Sequence, residues 1–231
     1  MGTGIGLIGV SVLALLEGAS ASPSAGKPQP QERLQPRDGG LPAMARGCDI
    51  WVGVSRTNIL VSHDNIHWTT NGSGSASCLH GIAFSGTRFV AVGNEGLVIV
   101  SSDGLSWRAV DAGTDERLRG IVFGNGKFVA VGYRGTIITS RNGEDWVRQK
   151  SGIEARLQSV AYGDGIFVAV GWNGTVLTSR TGVRWKKERL GTNEDFASVS
   201  FSDGFFSAAA RRCGANQSTP ANLRNDVAGI R

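Results

Sequence analysis

Four tryptophans, Trp68, Trp107, Trp146 and Trp185, follow one another at intervals of 39 residues. In the same frame Phe89-Val-Ala-Val-Gly93 returns as Phe128-Val-Ala-Val-Gly132 and Phe167-Val-Ala-Val-Gly171. Leu79-His-Gly-Ile-Ala-Phe84 likewise returns as Leu118-Arg-Gly-Ile-Val-Phe123 and Leu157-Gln-Ser-Val-Ala-Tyr162. Three segments that stay in phase over three copies mark a repeat protein. A unit of this length cannot bury its own apolar faces and needs neighbours of its own kind.

Each copy divides into four short runs. In the copy around Trp146, strand a is Leu118 to Phe123, strand b Phe128 to Val131 and strand c Thr136 to Ser140, with strand d starting around Trp146. Gly124-Asn-Gly126, Gly132-Tyr-Arg-Gly135 and Arg141-Asn-Gly143 separate them. Runs of four to six β-branched and aromatic residues between turns that accept positive φ predict strands joined by hairpins. The 34 glycines supply those turns, and with only six prolines a collagen-like chain is excluded. Strand b is apolar at every position, so both faces of its sheet must be covered. Four-stranded sheets packed face to face around an axis, as in a β-propeller, satisfy that requirement.

The outermost copies are incomplete. Residues 50–68 match strands b, c and d, and Phe196-Ala-Ser-Val-Ser-Phe201 with Phe206 matches strands a and b, the frame holding to about Ala210. The expectation is an all-β propeller of about four 39-residue repeats, closed by the last strand a completing the first blade, or else an incomplete ring. Beyond Ala210 the frame is lost, Cys213 and Arg224 standing where glycine and tryptophan are due. Residues 211–231 are left unassigned, as a tail or as the trace of a longer propeller.

The turn between strands c and d reads Ser62-His-Asp-Asn-Ile-His-Trp68, Ser101-Ser-Asp-Gly-Leu-Ser-Trp107, Ser140-Arg-Asn-Gly-Glu-Asp-Trp146 and Ser179-Arg-Thr-Gly-Val-Arg-Trp185. This hairpin resembles the Asp-box of sialidase-like propellers, one residue shorter. With the Phe-Val-Ala-Val-Gly strand and the Gly-Thr-Ile strand after it, residues 50–210 resemble the photosystem II stability and assembly factor family. The resemblance implies a non-enzymatic scaffold on the outer side of a membrane that holds a partner protein during assembly. It also implies that the Asp-box aspartates are structural. The chemistry agrees, since Asp or Asn in a tight turn bonds the backbone two residues on, which makes Asp64, Asp103 and Asn142 turn staples.

Catalytic constellations are hard to find. A sialidase requires an arginine cluster, a tyrosine nucleophile and an acid, and the chain has two tyrosines. Tyr162 shares the register of Phe84 and Phe123 and belongs to the core. His63 and His67 straddle a hairpin turn rather than sharing a helical face, and the glycine-rich stretches are turns between strands rather than phosphate loops. No cofactor, metal or catalytic residue is expected. A glycan-binding or glycoside-hydrolysing propeller is the competing class, and a fragment without independent function the third. The net charge of +5 favours acidic partners without identifying one. Without an arginine-rich helix, and with its aromatics at repeat positions, nucleic acid is not the expected partner.

The positions at which near-identical repeats differ are more informative. The turns between strands b and c carry Asn94-Glu95, Tyr133-Arg134 and Trp172-Asn173, on the propeller face that also holds the connections Asp111 to Arg117, Lys150 to Arg156 and Leu190 to Asp195. Loops on a rigid scaffold carry function, and exposed Tyr, Trp and Arg anchor interfaces. These six turn residues are the expected binding face for a protein or peptide; free drift of turn sequence is the alternative. The run Arg184 to Arg189 reads as protection of an exposed edge strand, and alternatively as a basic stripe.

The N-terminus has the pattern of an export signal. Ile5 to Leu16 is nearly all apolar and Ala19-Ser-Ala21 offers a small-x-small cleavage site, although no Lys or Arg precedes the apolar run. The run is too short for a bilayer-spanning helix. The expected organisation is a signal peptide over residues 1–21, a Pro/Gly-rich linker over 22–47 and a repeat domain over 48–210, in a secreted or periplasmic protein with no remaining membrane span. In such a compartment Cys48 and Cys78 can pair and leave Cys213 over; unpaired thiols are the alternative. An incomplete ring is expected to oligomerise.

Overall fold

The computed structural model describes residues 43–47, 49–55, 58–72 and 77–210 in full, and 220–222 as backbone. Among the described residues nineteen strands form five antiparallel sheets. The first holds β1 (Ala43–Arg46), β2 (Trp51–Val54), β3 (Asn58–Ser62) and β4 (Thr69–Gly72). The second holds β5 (Leu79–Phe84), β6 (Phe89–Gly93), β7 (Val98–Ser101) and β8 (Arg108–Val110). The third is built from β9 (Leu118–Gly124), β10 (Lys127–Gly132), β11 (Ile137–Ser140) and β12 (Val147–Gln149), with a 3-10 turn at Tyr133–Gly135. The fourth contains β13 (Leu157–Gly163), β14 (Ile166–Gly171), β15 (Val176–Ser179) and β16 (Lys186–Glu188). In the fifth, β17 (Phe196–Ser202), β18 (Phe205–Ala210) and β19 (Pro220–Asn222) lie side by side.

Every sheet is a meander in which sequence neighbours pair. The 39-residue unit is therefore one blade, and the recurring Phe-Val-Ala-Val run explains how blades stack. Alternation sends successive side chains of β10 to opposite faces. Phe128 and Ala130, with Ile138, pack back on Val90, Val92, Val98 and Val100 of the second sheet. Val129 and Val131, with Ile137, pack forward on Phe167, Ala169 and Leu177 of the fourth. The same meeting of a valine pair with the next blade's Phe and Ala recurs between the first and second sheets and between the fourth and fifth. Each apolar cluster thus lies between two blades.

The tryptophans close the outer ends of these interfaces. The indole Nε1–H of Trp107, Trp146 and Trp185 donates to the carbonyl of Gly104, Gly143 and Gly182 at 3.0, 3.0 and 2.9 Å. Each ring lies 6.4 Å from the Phe of its own strand b, namely Phe89, Phe128 and Phe167. Trp68 holds the matching place before β4 and is half-buried. Tyr162 packs on Phe167 at 4.5 Å, as its register requires.

Two details differ from the sequence expectation. The first sheet takes its inner strand from Ala43–Arg46, inside the stretch read as linker, and not from the last copy. β17 belongs to a fifth sheet, whose third strand, Pro220–Asn222, lies in the unassigned tail and pairs with Ser207–Ala209. The count is accordingly five sheets instead of about four. The signal-peptide stretch, Cys48 and Cys213 lie outside the described residues. Cys78 is half-buried at the start of the second blade.

Candidate binding face and cavity

The inner strands carry a shared irregularity. In β5, β9, β13 and β17 the pairing with the next strand skips one residue, and the residues skipped are His80, Arg119, Gln158 and Ala197. A bulge of this kind bends the strand and re-aims the extra side chain. All four residues, with Met44 of β1 and Ser198, border one cavity of about 230 Å³ that the inner strands of all five sheets share.

Three of the bulge residues form a hydrogen-bonded ladder. Arg119 Nε donates to Gln158 Oε1 at 3.1 Å, and Arg119 Nη1 lies 3.2 Å from His80 Nδ1. His80 Nε2 lies 2.6 Å from Asn94 Oδ1. Burial holds the His80 imidazole below its ordinary pKa, and the charges of Arg119 and Arg117 act in the same direction against the Asn94 bond.

On the side of this cavity where Asn94 meets His80, the turns between strands b and c are locked to the connections between blades. The amide N–H groups of Asn94, Tyr133 and Trp172 each donate at 2.9 Å, to the carbonyls of Cys78, Arg117 and Arg156. Gly96, Gly135 and Gly174 donate to Glu116, Ala155 and Glu194 in the following connection. The tips Glu95, Arg134 and Asn173 sit in left-handed conformation, φ +54°, +51° and +56°. Asn125, Asp164 and Asp203 do the same at the a-to-b turns, so that geometry belongs to the hairpins rather than to a site.

Two expected anchors come together through residues that the sequence reading did not single out. The Arg156 guanidinium lies between Tyr133 and Trp172, 4.6 and 4.2 Å from their ring centroids. Arg117 lies 5.2 Å from the Tyr133 centroid. The result is an alternating stack, Arg117–Tyr133–Arg156–Trp172, across two blades, with the arginines exposed and the rings half-buried. Distances under about 6 Å fall in the cation–π range. Arg117 and Arg156 end successive connections at one register of the repeat, the signal by which they were findable.

The other four turn residues are tied down individually. Asn94 holds His80. Glu95 Oε2 accepts from Ser77 Oγ at 3.3 Å, Arg134 pairs loosely with Glu116 at 3.5 Å, and Asn173 N–H donates to Asp195 Oδ1 at 2.9 Å. They flank the stack without joining it.

At the c-to-d hairpins Asp103 Oδ1 accepts from the amides of Leu105 and Ser106, both at 2.8 Å, and from Ser101 Oγ. Asp64 repeats the pattern on Ile66 and His67, and the His67 imidazole and those amides hold its carboxyl far below the usual carboxylate range. Asn142 does so on Glu144 and Asp145 at 3.0 Å. These side chains hold turns. Among the described residues no three of His, Cys, Asp and Glu gather as a metal site would.

No protein-family model matches the chain, and no curated protein matches it in sequence. Solved structures match its shape. The structure described as "YCF48 bound to D1 peptide" superposes with a TM-score of 0.61 at 17% identity, over 79% of this chain and 63% of that one. "YCF48 from Cyanidioschyzon merolae" gives 0.56 at 14%, over 77% and 70%. The RRP9 WD40 repeats give 0.59 at 14%, over 77% and 64%. The fold is that of the β-propellers. This chain spans under two thirds of the length of the peptide-bound structure it matches, and at such identity the likeness concerns architecture.

Proposed function

We propose that this propeller is a non-catalytic scaffold that captures a protein or peptide segment on the face bearing the b-to-c turns. The Arg117–Tyr133–Arg156–Trp172 stack carries the reading. It presents flat aromatic and guanidinium surfaces on turns that backbone hydrogen bonds fix to the blade connections, so little is lost in ordering them on binding. Exposed guanidinium edges beside the rings fit an extended segment with carboxylate groups. A peptide complex of a propeller with the same architecture supports that use of the fold. The repeat's resemblance to photosystem II assembly factors supports a role in assembly, and the N-terminal pattern supports an extracytoplasmic setting.

The test is fluorescence anisotropy with labelled peptides graded from acidic to basic. Saturable binding of acidic members that falls on Trp172→Ala and on Arg156→Ala is expected. Binding that ignores both substitutions would move the site elsewhere. Export is checked separately by the N-terminal mass of the protein recovered after expression with its own leader, which is expected to start near residue 22.

A further inference from the structure

We propose that His80 is a proton-sensitive latch across the seam between the second and third blades, holding the polar side chains of the shared cavity in their present arrangement while its imidazole is neutral. The latch lies in the cavity and does not depend on whether the neighbouring face captures a peptide.

The hydrogen bonds leave one protonation state. Asn94 Oδ1 can only accept, so His80 Nε2 carries a hydrogen and donates to it across 2.6 Å. A guanidinium nitrogen can only donate, so His80 Nδ1 is bare and accepts from Arg119 across 3.2 Å. A neutral imidazole with its hydrogen on Nε2 satisfies both bonds. Through it, the turn after β6 is connected to Arg119 on β9 and onward to Gln158 on β13.

A second proton has one place to go, Nδ1. There it would set an N–H against the Arg119 N–H, donor against donor and cation against cation. The Arg119 bond to His80 is lost, while the Asn94 bond survives because Nε2 keeps its hydrogen. Nearby charges oppose the protonated form. Arg119 on β9 bonds the ring, and its charge and that of Arg117 ahead of it act on it. The strand on the other side, β1, contributes Met44 and Ala43 to the cavity, and β13 contributes Gln158. None of the described residues bordering the cavity is acidic. Two carboxylates of the adjoining turn and connection are engaged elsewhere, Glu95 with Ser77 and Glu116 with Arg134. Protonation therefore separates the two blades' polar groups in the cavity and adds a positive charge to it. Burial acts in the same sense, because the imidazolium is the form that loses more solvation.

The sequence register shows how local the device is. The bulge position reads His80, Arg119, Gln158 and Ala197 in successive blades. The second blade alone of these pairs a titratable bulge residue with a turn amide, Asn94; Tyr133 and Trp172 occupy that turn position in the third and fourth.

The experiment is NMR on the full, isotope-labelled chain, following the His80 imidazole and the Arg119 Nε–H from about pH 7.5 to about pH 5. The two signals are expected to move with one midpoint, lying below that of an ordinary histidine. In H80Q the glutamine can donate to Asn94 and accept from Arg119 but cannot titrate, and the Arg119 signal is expected to stay still. In R119Q the opposing cation is gone, and the His80 midpoint is expected to rise. An Arg119 signal that ignores the His80 titration overturns the proposal. So does an Arg119 transition that persists in H80Q, or a His80 midpoint unmoved in R119Q. Should one variant fail to fold, the other and the wild-type coincidence of midpoints still decide.

Discussion

The guanidinium of Arg156 lies 4.2 Å from the ring centroid of Trp172, and the two residues come from different parts of one blade: Arg156 ends the connection into the fourth blade and Trp172 opens that blade's b-to-c turn. The backbone fixes the pair, since the Trp172 amide donates to the Arg156 carbonyl at 2.9 Å. Truncating an aromatic anchor at the centre of an interface costs upwards of about 1 kcal/mol. Trp172→Ala is therefore expected to weaken an acidic peptide about tenfold in an anisotropy titration. Arg156→Lys keeps the charge and loses the planar stack, and is expected to weaken it several-fold. Arg180→Ala, an exposed arginine outside the stack, is expected to leave the affinity in place.

The c-to-d hairpins contain their own graded series. The side chain at the staple position is Asp103 in the second blade, with 2.8 Å bonds to two amides, Asn142 in the third at 3.0 Å, and Thr181 in the fourth at 3.3 and 3.4 Å. The amides of Ser106 and Leu105, with help from Ser101, hold the Asp103 carboxyl down at about 2. A depressed carboxylate binds fewer protons in the folded state than in the unfolded one. Its contribution is complete above the ordinary value of 3.8 and is lost as pH falls from there to about 2. Asp103→Asn is expected to keep the turn, as Asn142 does, and to flatten the thermal-melting curve against pH in that window. Asp103→Ala is expected to cost about 1 kcal/mol at neutral pH.

Much of this architecture was legible because the blades repeat their letters, and what was not legible follows from where they stop doing so. Phe128 and Val129 announce opposite faces of one strand, so stacking between blades could be read directly. In the first blade strand b was read within residues 50–68, but the turn from Val54 to Ile59 is one residue shorter than that from Val92 to Val98, which puts Trp51-Val-Gly-Val54 one place out of the 39-residue frame. Ala43–Arg46 carries none of the Gly-Ile-Val-Phe letters of a strand a, and only its pairing with β2 identifies it. The binding face was half legible. Tyr133 and Trp172 stood out by type, whereas Arg117 and Arg156 share a repeat register but show their place beside the rings only once the connections are folded back over the turns. The bulges at His80, Arg119 and Gln158 are a property of strand pairing, and an intact repeat pattern gives no sign of them.

Blade stacking makes a prediction about stability that contrasts a buried and an exposed apolar side chain. Phe128 is 1% exposed and fills the interface between the second and third blades, beside Ala130 and Ile138. Phe128→Ala leaves a cavity between two sheets and is expected to cost about 3–5 kcal/mol, read as a lowered urea midpoint. Leu105, in the c-to-d hairpin of the second blade, is 49% exposed. Leu105→Ala is expected to stay within about 0.5 kcal/mol. Equal losses would mean that burial between blades is not what holds the fold.

Two neighbouring glycines separate close approach from conformational freedom. Gly126, in the turn between β9 and β10, has φ +69° and open space where a Cβ would be. Gly126→Ala is expected to cost about 1 kcal/mol for the left-handed backbone alone. Gly132 has an extended backbone, φ −164°, that any residue can adopt. A Cβ there would stand 2.2 Å from the Arg117 carbonyl oxygen, the acceptor that fixes the Tyr133 amide. Backbone cannot swing aside as a side chain can, so Gly132→Ala must displace either the turn or the connection. It is expected to cost more than Gly126→Ala in urea denaturation, and also to disorder the stack, seen as faster amide exchange at Tyr133. If the two variants were equally stable and Tyr133 exchange were unchanged, the connection would not be what positions the turn, and the rigidity claimed for the binding face would fail with it.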